Sequence, residues 1–309
     1  MFLVILMYML FASTFTIGKA VMEYLHPVFF IGIRMVIGGI ILLSYQYLFR
    51  KERFYIKKEH IWLFAQIAIF HVLVAFLAEY WALQYVTSFK VALIYNLSPF
   101  LAAIFAYLFF AEKMTKKKWF GLLLGFSGFF IVLANGKSPG EGAHHAFGFL
   151  SWPEIALLIS VTSAVYGWAV FKKLIQNKGY SPIMVNGVGM LTGGFLALLS
   201  SFFVEGYPTL KIQSSSFLFD ISVCSGYALL LIVIANIICY NLYGYLLRKY
   251  SITFLSFAGF VTPLFAVLFG NVFLKEMPSL SFFLSLGIIS LGLYIFYQEE
   301  LKLGYIKKN

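Results

Sequence analysis

The sequence predicts an all-α integral membrane protein. Ten transmembrane helices form two inverted five-helix repeats, with both termini cytoplasmic. Three observations lead there: a composition too apolar for water, basic residues in every second connection, and a repeat of one half of the chain in the other. The 309 residues are 61% hydrophobic, 20% aromatic and 11% charged, and mean hydropathy is +0.89. A soluble domain is about 25% charged, and a fold of this size could not cover its surface with so little charge. A soluble enzyme, a nucleic-acid binder and a disordered chain are thereby set aside. The net charge of +11 would suggest nucleic acid in a soluble protein. Here the basic residues sit in short connections, where they set membrane orientation.

Each helix rests on a run of about 20 mostly apolar residues. The first, 2–19, has no basic residue ahead of it and is followed by Lys19 and Glu23, so it reads as a retained helix, not a cleaved signal. Pro27 opens the second, 27–49, which ends on Arg50, Lys51 and Arg53, then Lys57 and Lys58. The third, 61–84, passes through an outer turn to the fourth, 89–111, which ends at Lys113 and Lys116 to Lys118. The fifth, 119–135, leads into the Gly-rich segment Asn135 to Leu150 with His144-His145. The sixth, 151–171, is closed by Lys172, Lys173 and Lys178; the seventh, 182–204, is followed by Lys211 alone. Arg248 and Lys249 end the eighth, 220–246, and Lys275 follows the ninth, 252–274. The tenth, 279–297, precedes Lys302, Lys307 and Lys308.

Basic residues thus crowd the even-numbered connections and the C-terminus, while the odd ones hold Lys19, Lys90, Lys137, Lys211 and Lys275. One missed span would scramble that order, and the positive-inside rule places both ends in the cytoplasm. Barrel strands are excluded, because the runs are too long and do not alternate. Ser98-Pro99, Thr262-Pro263 and Gly193-Gly194 interrupt their runs, which a bundle can absorb by re-satisfying the freed backbone groups. Cys224 and Cys239 share one apolar run and imply neither a disulfide framework nor a metal cluster.

The long outer connection divides the chain into 1–135, a loop 136–150, a second unit 151–298 and a tail 299–309. Shifting residues 80–133 by 164 positions lays them on 244–297 without a gap: Pro99 meets Pro263, Glu112 meets Glu276 and Gly128 meets Gly292. Earlier, a shift of 155 puts Pro27 on Pro182 and Gly38-Gly39 on Gly193-Gly194. Units of five helices must be inverted across the membrane. Inverted repeats are a transporter design, in which one unit rocks against the other around a site at mid-depth.

These residues carry a family resemblance. Phe11-Ala12-Ser13-Thr14-Phe15 with Lys19, Pro27 with Arg34, Tyr80-Trp81-Ala82-Leu83-Gln84-Tyr85 leading to Pro99, and Glu112 followed by Gly121, Gly125 and Gly128 belong to it. Pro263, Glu276, Gly287 and Gly292 repeat it. The chain, from about Tyr8 to Tyr297, resembles the drug/metabolite transporter superfamily, in its ten-helix group with two EamA repeats. It departs in lacking a Trp-Gly in the first helix and in placing Gly189 where Arg34 would recur, which suggests unequal halves. The resemblance implies a bacterial inner-membrane permease for amino acids and related metabolites, with amino-acid export first and S-adenosylmethionine or another nucleotide-derived metabolite as the alternative.

Ionisable residues at membrane depth are costly and need a partner or water. Arg34 can clamp a substrate carboxylate or work a gate, or pair structurally with Glu79 or Glu23. Glu79 can titrate and couple protons to transport, or pair with Lys19 or Arg34. His71, eight residues before Glu79, reads mainly as a packing residue. Ser13, Thr14 and Lys19 line a cavity or hold helices together. Asn186 with Asn236 and Tyr240 forms a second polar set, the last two sharing a face at i, i+4 spacing. Tyr80, Gln84, Tyr166 and Trp168 are further cavity candidates, and the aromatics here, with Trp81, Tyr85 and Tyr95, can stack on a planar or cationic substrate. Pro99 and Pro263 read as helix breaks, and Glu112 and Glu276 as helix-end or gate contacts rather than a catalytic pair.

The expected partners are a small metabolite, the bilayer and protons, without nucleic acid. No metal or cofactor is implied: His144-His145 reads as a solvated loop, and no phosphate-cradling P-loop or dinucleotide fingerprint occurs. A membrane-embedded enzyme would need clustered catalytic groups that the scattered ionisable residues do not supply. A scaffold would be expected to carry soluble domains.

Overall fold

The computed structural model describes residues 2–110, 114–135, 145–147, 150–206, 217–250 and 252–302. Over these the chain is a helical bundle: α1 (Phe2–Val21), α2 (Pro27–Phe49), α3 (Lys58–Leu83), α4 (Ser88–Tyr95), α5 (Ser98–Phe110), α6 (Lys116–Asn135), α7 (Trp152–Asn177), α8 (Pro182–Val204), α9 (Phe219–Leu246), α10 (Ile252–Ala258), α11 (Thr262–Leu274) and α12 (Leu280–Lys302). Its strands are β1 (His145–Phe147) and β2 (Leu150–Ser151), a minimal antiparallel pair. Nine helices among the described residues are long and apolar enough to cross a membrane. They match all the expected spans but the fifth, where α6 lies. Lys113, Glu112 and the run from 136 to His144 lie outside the described residues.

The two proline breaks fall where the sequence expects them, and two other features differ from that expectation. The fourth span is two helices, because Asn96 and Leu97 turn between α4 and α5 and Pro99 then sits in the first turn of α5. The ninth breaks likewise: Gly259–Val261 is a 3₁₀ turn between α10 and α11, and Pro263 opens α11. By contrast, Gly193-Gly194 breaks nothing, since α8 is continuous from Pro182 to Val204. The second difference is a π-helical stretch inside α3, Ile67–Val74, matched inside α9 by Ile232–Cys239. A shift of 165 relates the two, close to the repeat offset seen in the sequence. Such bulges turn one residue out of the regular ladder and tend to mark functional sites.

Glycines set the closest helix contacts. A Cβ on Gly39 would lie 2.6 Å from the Leu191 amide nitrogen, and one on Gly194 would lie 2.7 Å from Met35 Cβ. So α2 and α8 pack backbone to backbone, running in opposite directions. Gly121 and Gly125 meet Gly292 on α12, while Gly128 meets Ile289, so α6 and α12 do the same. In each pair, a helix packs on its own repeat counterpart, as elements do around a two-fold axis. Close approach through small residues is how apolar helices associate without a hydrophobic drive.

The two ends of the bundle are tied differently. At one end Lys19 Nζ meets Glu276 Oε1 at 2.7 Å, and Lys90 Nζ meets Glu154 Oε1 at 2.8 Å. There also Glu205 accepts the amide N–H groups of Val28 and Phe29, at 2.8 and 2.9 Å, capping α2. Every one of these contacts joins odd-numbered connections. At the other end the Tyr180 hydroxyl meets His60 Nδ1 at 2.9 Å, Arg248 donates to the Tyr180 carbonyl at 3.1 Å, and Ser181 donates to Gln46 at 2.7 Å. These belong to even-numbered connections.

Candidate functional site

Between these ends lies a cavity walled by α1, α2, α3, α7 and α9 and floored by the two helix breaks. Its position follows from the pattern just described. The π stretches redirect α3 and α9, and the proline breaks leave short polar turns. Asn96 and Ser98 come from the first break, and Ser256, Gly259 and Thr262 from the second.

Of the sequence candidates, Thr14, Arg34, Glu79, Tyr80, Trp168 and Tyr240 line this cavity. Arg34 is 1% exposed. Its Nη1 donates to the Tyr80 hydroxyl at 2.8 Å, and its guanidinium lies 4.9 Å from the Phe76 ring centre, 5.1 Å from Tyr80 and 5.8 Å from Phe30. No ion pair joins it to Glu79: Nη1 of Arg34 is engaged by Tyr80, and Glu79 Oε2 accepts from Tyr95. The Tyr95 hydroxyl donates to Glu79 Oε2 and also meets Ser160 Oγ at 2.8 Å. Ser160 in turn donates to the Ala75 carbonyl at 2.7 Å. This chain ties α3, α4 and α7 around the carboxylate.

An aromatic cluster lines the same cavity. Trp168 stacks on Tyr240 at 5.6 Å and 21°, and approaches Tyr243 at 4.0 Å and His71 at 4.3 Å. Phe11 and Phe76 close on Tyr240 at 5.8 and 6.1 Å. Gly167 leaves space for His71, since a Cβ there would lie 2.4 Å from the His71 Cβ. His71, expected mainly to pack, therefore stands on the cavity wall.

The other candidates are placed elsewhere. Ser13 donates to the Leu10 carbonyl of its own helix at 2.7 Å, and exposed Gln84 donates to the Trp81 carbonyl at 3.3 Å. Trp81 and Tyr85 pack on each other at 5.2 Å, outside the cavity. Tyr166 donates to Gln66 at 2.5 Å between α7 and α3. Asn186 donates to Asn241 Oδ1 at 3.1 Å between α8 and α9, and Asn236 donates to Met35 Sδ at 3.1 Å while crowding Gly38. Asn236 and Tyr240 do not share the expected face, because the π stretch closes i→i+5. Ala235, five residues before Tyr240, lines the cavity instead. Lys19 pairs with Glu276 at the bundle end and not with Glu79; Glu276 also accepts the Ser88 hydroxyl at 2.6 Å.

Asn96, Ser98, Ser256 and Thr262 are wall residues that the sequence candidates left out, while Tyr95, expected as a stacking aromatic, lines the cavity. Their common signal was legible: polar side chains within two turns of Pro99 or Pro263, inside otherwise apolar spans.

Two segments of the chain, 1–134 and 151–298, match the EamA-like transporter family. The chain belongs to that family. It is a multi-pass membrane transporter of the drug/metabolite type, and the family places it among carriers rather than enzymes. It is 33% identical over 306 residues to an S-adenosylmethionine/S-adenosylhomocysteine transporter of Chlamydia muridarum, covering 99% of this chain and 93% of that protein. A protein of the same description from Chlamydia trachomatis is 31% identical, with 99% and 91% covered. An uncharacterised inner membrane transporter of Escherichia coli, YedA, is 26% identical over 94% of this chain and 90% of its own length. A solved crystal structure superposes with a TM-score of 0.65 at 16% identity over 97% of each chain, a likeness of fold.

Proposed function

We propose that this transporter carries S-adenosylmethionine and S-adenosylhomocysteine across a bacterial inner membrane by alternating access. In this reading the chain crosses ten times with both termini cytoplasmic, and the units 1–135 and 151–298 rock against each other around the central cavity. The observation that carries it is the full-length likeness to two transporters so described, joined to a cavity suited to such a molecule. Trp168, Tyr240 and Phe76 offer π faces to an adenine ring, and Arg34, Glu79 and Tyr95 add polar groups to the lining. The relatives direct the reading to the nucleotide-derived class, ahead of the amino acids that the family resemblance put first.

The test is counterflow in proteoliposomes. Vesicles loaded with unlabelled S-adenosylhomocysteine should take up labelled S-adenosylmethionine saturably. A panel of neutral and aromatic amino acids should give little flux. A second arm imposes a pH gradient, and acceleration there would add proton coupling through Glu79. Folded protein that moves amino acids but not S-adenosylmethionine would return the assignment to an amino-acid carrier.

A further inference from the structure

Among the described lining residues, Arg34 is the one permanent cation and Glu79 the one carboxylate, and they do not pair. Arg34 Nη1 is held by Tyr80, and the flat faces are covered by aromatic rings. Its Nε and Nη2 have no hydrogen-bond partner although the residue is 1% exposed. Those two N–H groups share one edge of the guanidinium, the edge that takes both oxygens of a carboxylate in a fork. A charge left unmatched at membrane depth is costly and is kept where function needs it. The repeat position that would supply a second arginine holds Gly189, which receives Ile67 against it. The cationic edge is therefore single, and Arg34, Glu79 and Tyr95 line the same cavity.

We propose that the free edge of Arg34 binds the carboxylate of an α-amino-acid head while Glu79, steadied by Tyr95, takes the ammonium group. The cavity then selects zwitterionic head groups carrying a planar tail. The inference deepens the proposed function and rests on it for the identity of the tail. S-adenosylmethionine and S-adenosylhomocysteine share the head and the adenosyl group and differ by the methyl on sulfur. A site that reads the head and the ring accepts both, which is what exchange of one for the other requires.

The experiment uses ligand pairs that differ only in the carboxylate, measured by binding and by competition in counterflow with the purified full-length protein. The pairs are S-adenosylmethionine with its decarboxylated form, tryptophan with tryptamine, and phenylalanine with phenethylamine. In each pair that binds, the carboxylate member should bind about 100-fold more tightly, since removing one partner of a buried, hydrogen-bonded charge pair leaves the other charge unpaired. Arg34→Gln should bring that ratio close to one, and Arg34→Lys should restore only part of it. Equal binding within the pairs overturns the inference, as does failure of every carboxylate member to bind. If Arg34→Gln does not fold, the pairs on the unaltered protein still decide. Preference for tryptophan over tryptamine without S-adenosylmethionine binding would sink the substrate assignment and leave the head-group site standing. Equal binding of S-adenosylmethionine and its decarboxylated form would do the reverse.

Discussion

Tyr80 and Trp168 show how single side chains are committed around the cavity. The Tyr80 hydroxyl holds Arg34 at 2.8 Å and sits where a side chain on Gly18 would collide with it, so α1 is fitted around that bond. Removing one partner of a buried hydrogen bond to a charged group costs about 1–3 kcal/mol. Tyr80→Phe should therefore lower the thermal midpoint in detergent by several degrees and weaken substrate binding together; an unchanged midpoint would show that Arg34 finds another acceptor at no cost. Trp168 touches Tyr240, Tyr243 and His71 at once. Trp168→Leu keeps an apolar filler but removes the π face. It should raise KM about tenfold for an adenosyl substrate, with kcat little changed; a fall in kcat alone would make Trp168 a moving part and not a platform.

At the scale of elements, irregular helices place the site and glycines hold the frame. The π stretches and proline breaks recur in both units, so the cavity is built from equivalent defects facing each other. The frame is testable through its glycines. Gly39→Ala would set a Cβ 2.6 Å from backbone at Leu191, and Gly292→Ala would set one 2.5 Å from the Gly125 amide nitrogen. Both should sharply reduce the yield of monodisperse protein by size-exclusion chromatography. Gly226→Ala and Gly287→Ala meet nothing within 4 Å and should be neutral or stabilising by about 0.5–1 kcal/mol. Equal losses at all four positions would show that helix propensity and not packing governs.

For the whole molecule, the carboxylates Glu154, Glu205 and Glu276, all from the second unit, fasten one end of the first. The Lys19 partner of Glu276 is 28% exposed, so Coulomb attraction there is partly screened and the pair is worth about 1 kcal/mol or less. The amide and hydroxyl of Ser88 on the same carboxylate add to it. In alternating access, weakening the tie at one end favours the state open at that end. Glu276→Gln should raise labelling of Ser98→Cys by an impermeant thiol reagent from the side opposite the termini, in a background lacking Cys224 and Cys239. Unaltered labelling would remove this tie from the gating mechanism.

Much of this was legible in one dimension. Hydropathy marked the spanning helices, because a bilayer demands apolar length. Equivalent prolines and glycines marked breaks and close approaches that recur along the chain, since those features need those residue types. Arg34, Glu79, Tyr80, Trp168 and Tyr240 stood out as polar or aromatic groups in apolar spans. Which of them meet was decided only in three dimensions. Asn236 and Tyr240 look like neighbours at helical spacing, yet a π stretch, invisible in the pattern, sends one into a helix contact and the other to the cavity. Arg34 chose Tyr80 over Glu79, and Lys19 chose Glu276 from the far end of the sequence, because side-chain partners depend on how helices are rotated against one another. Sequence periodicity gives each helix a face; only packing says what that face meets.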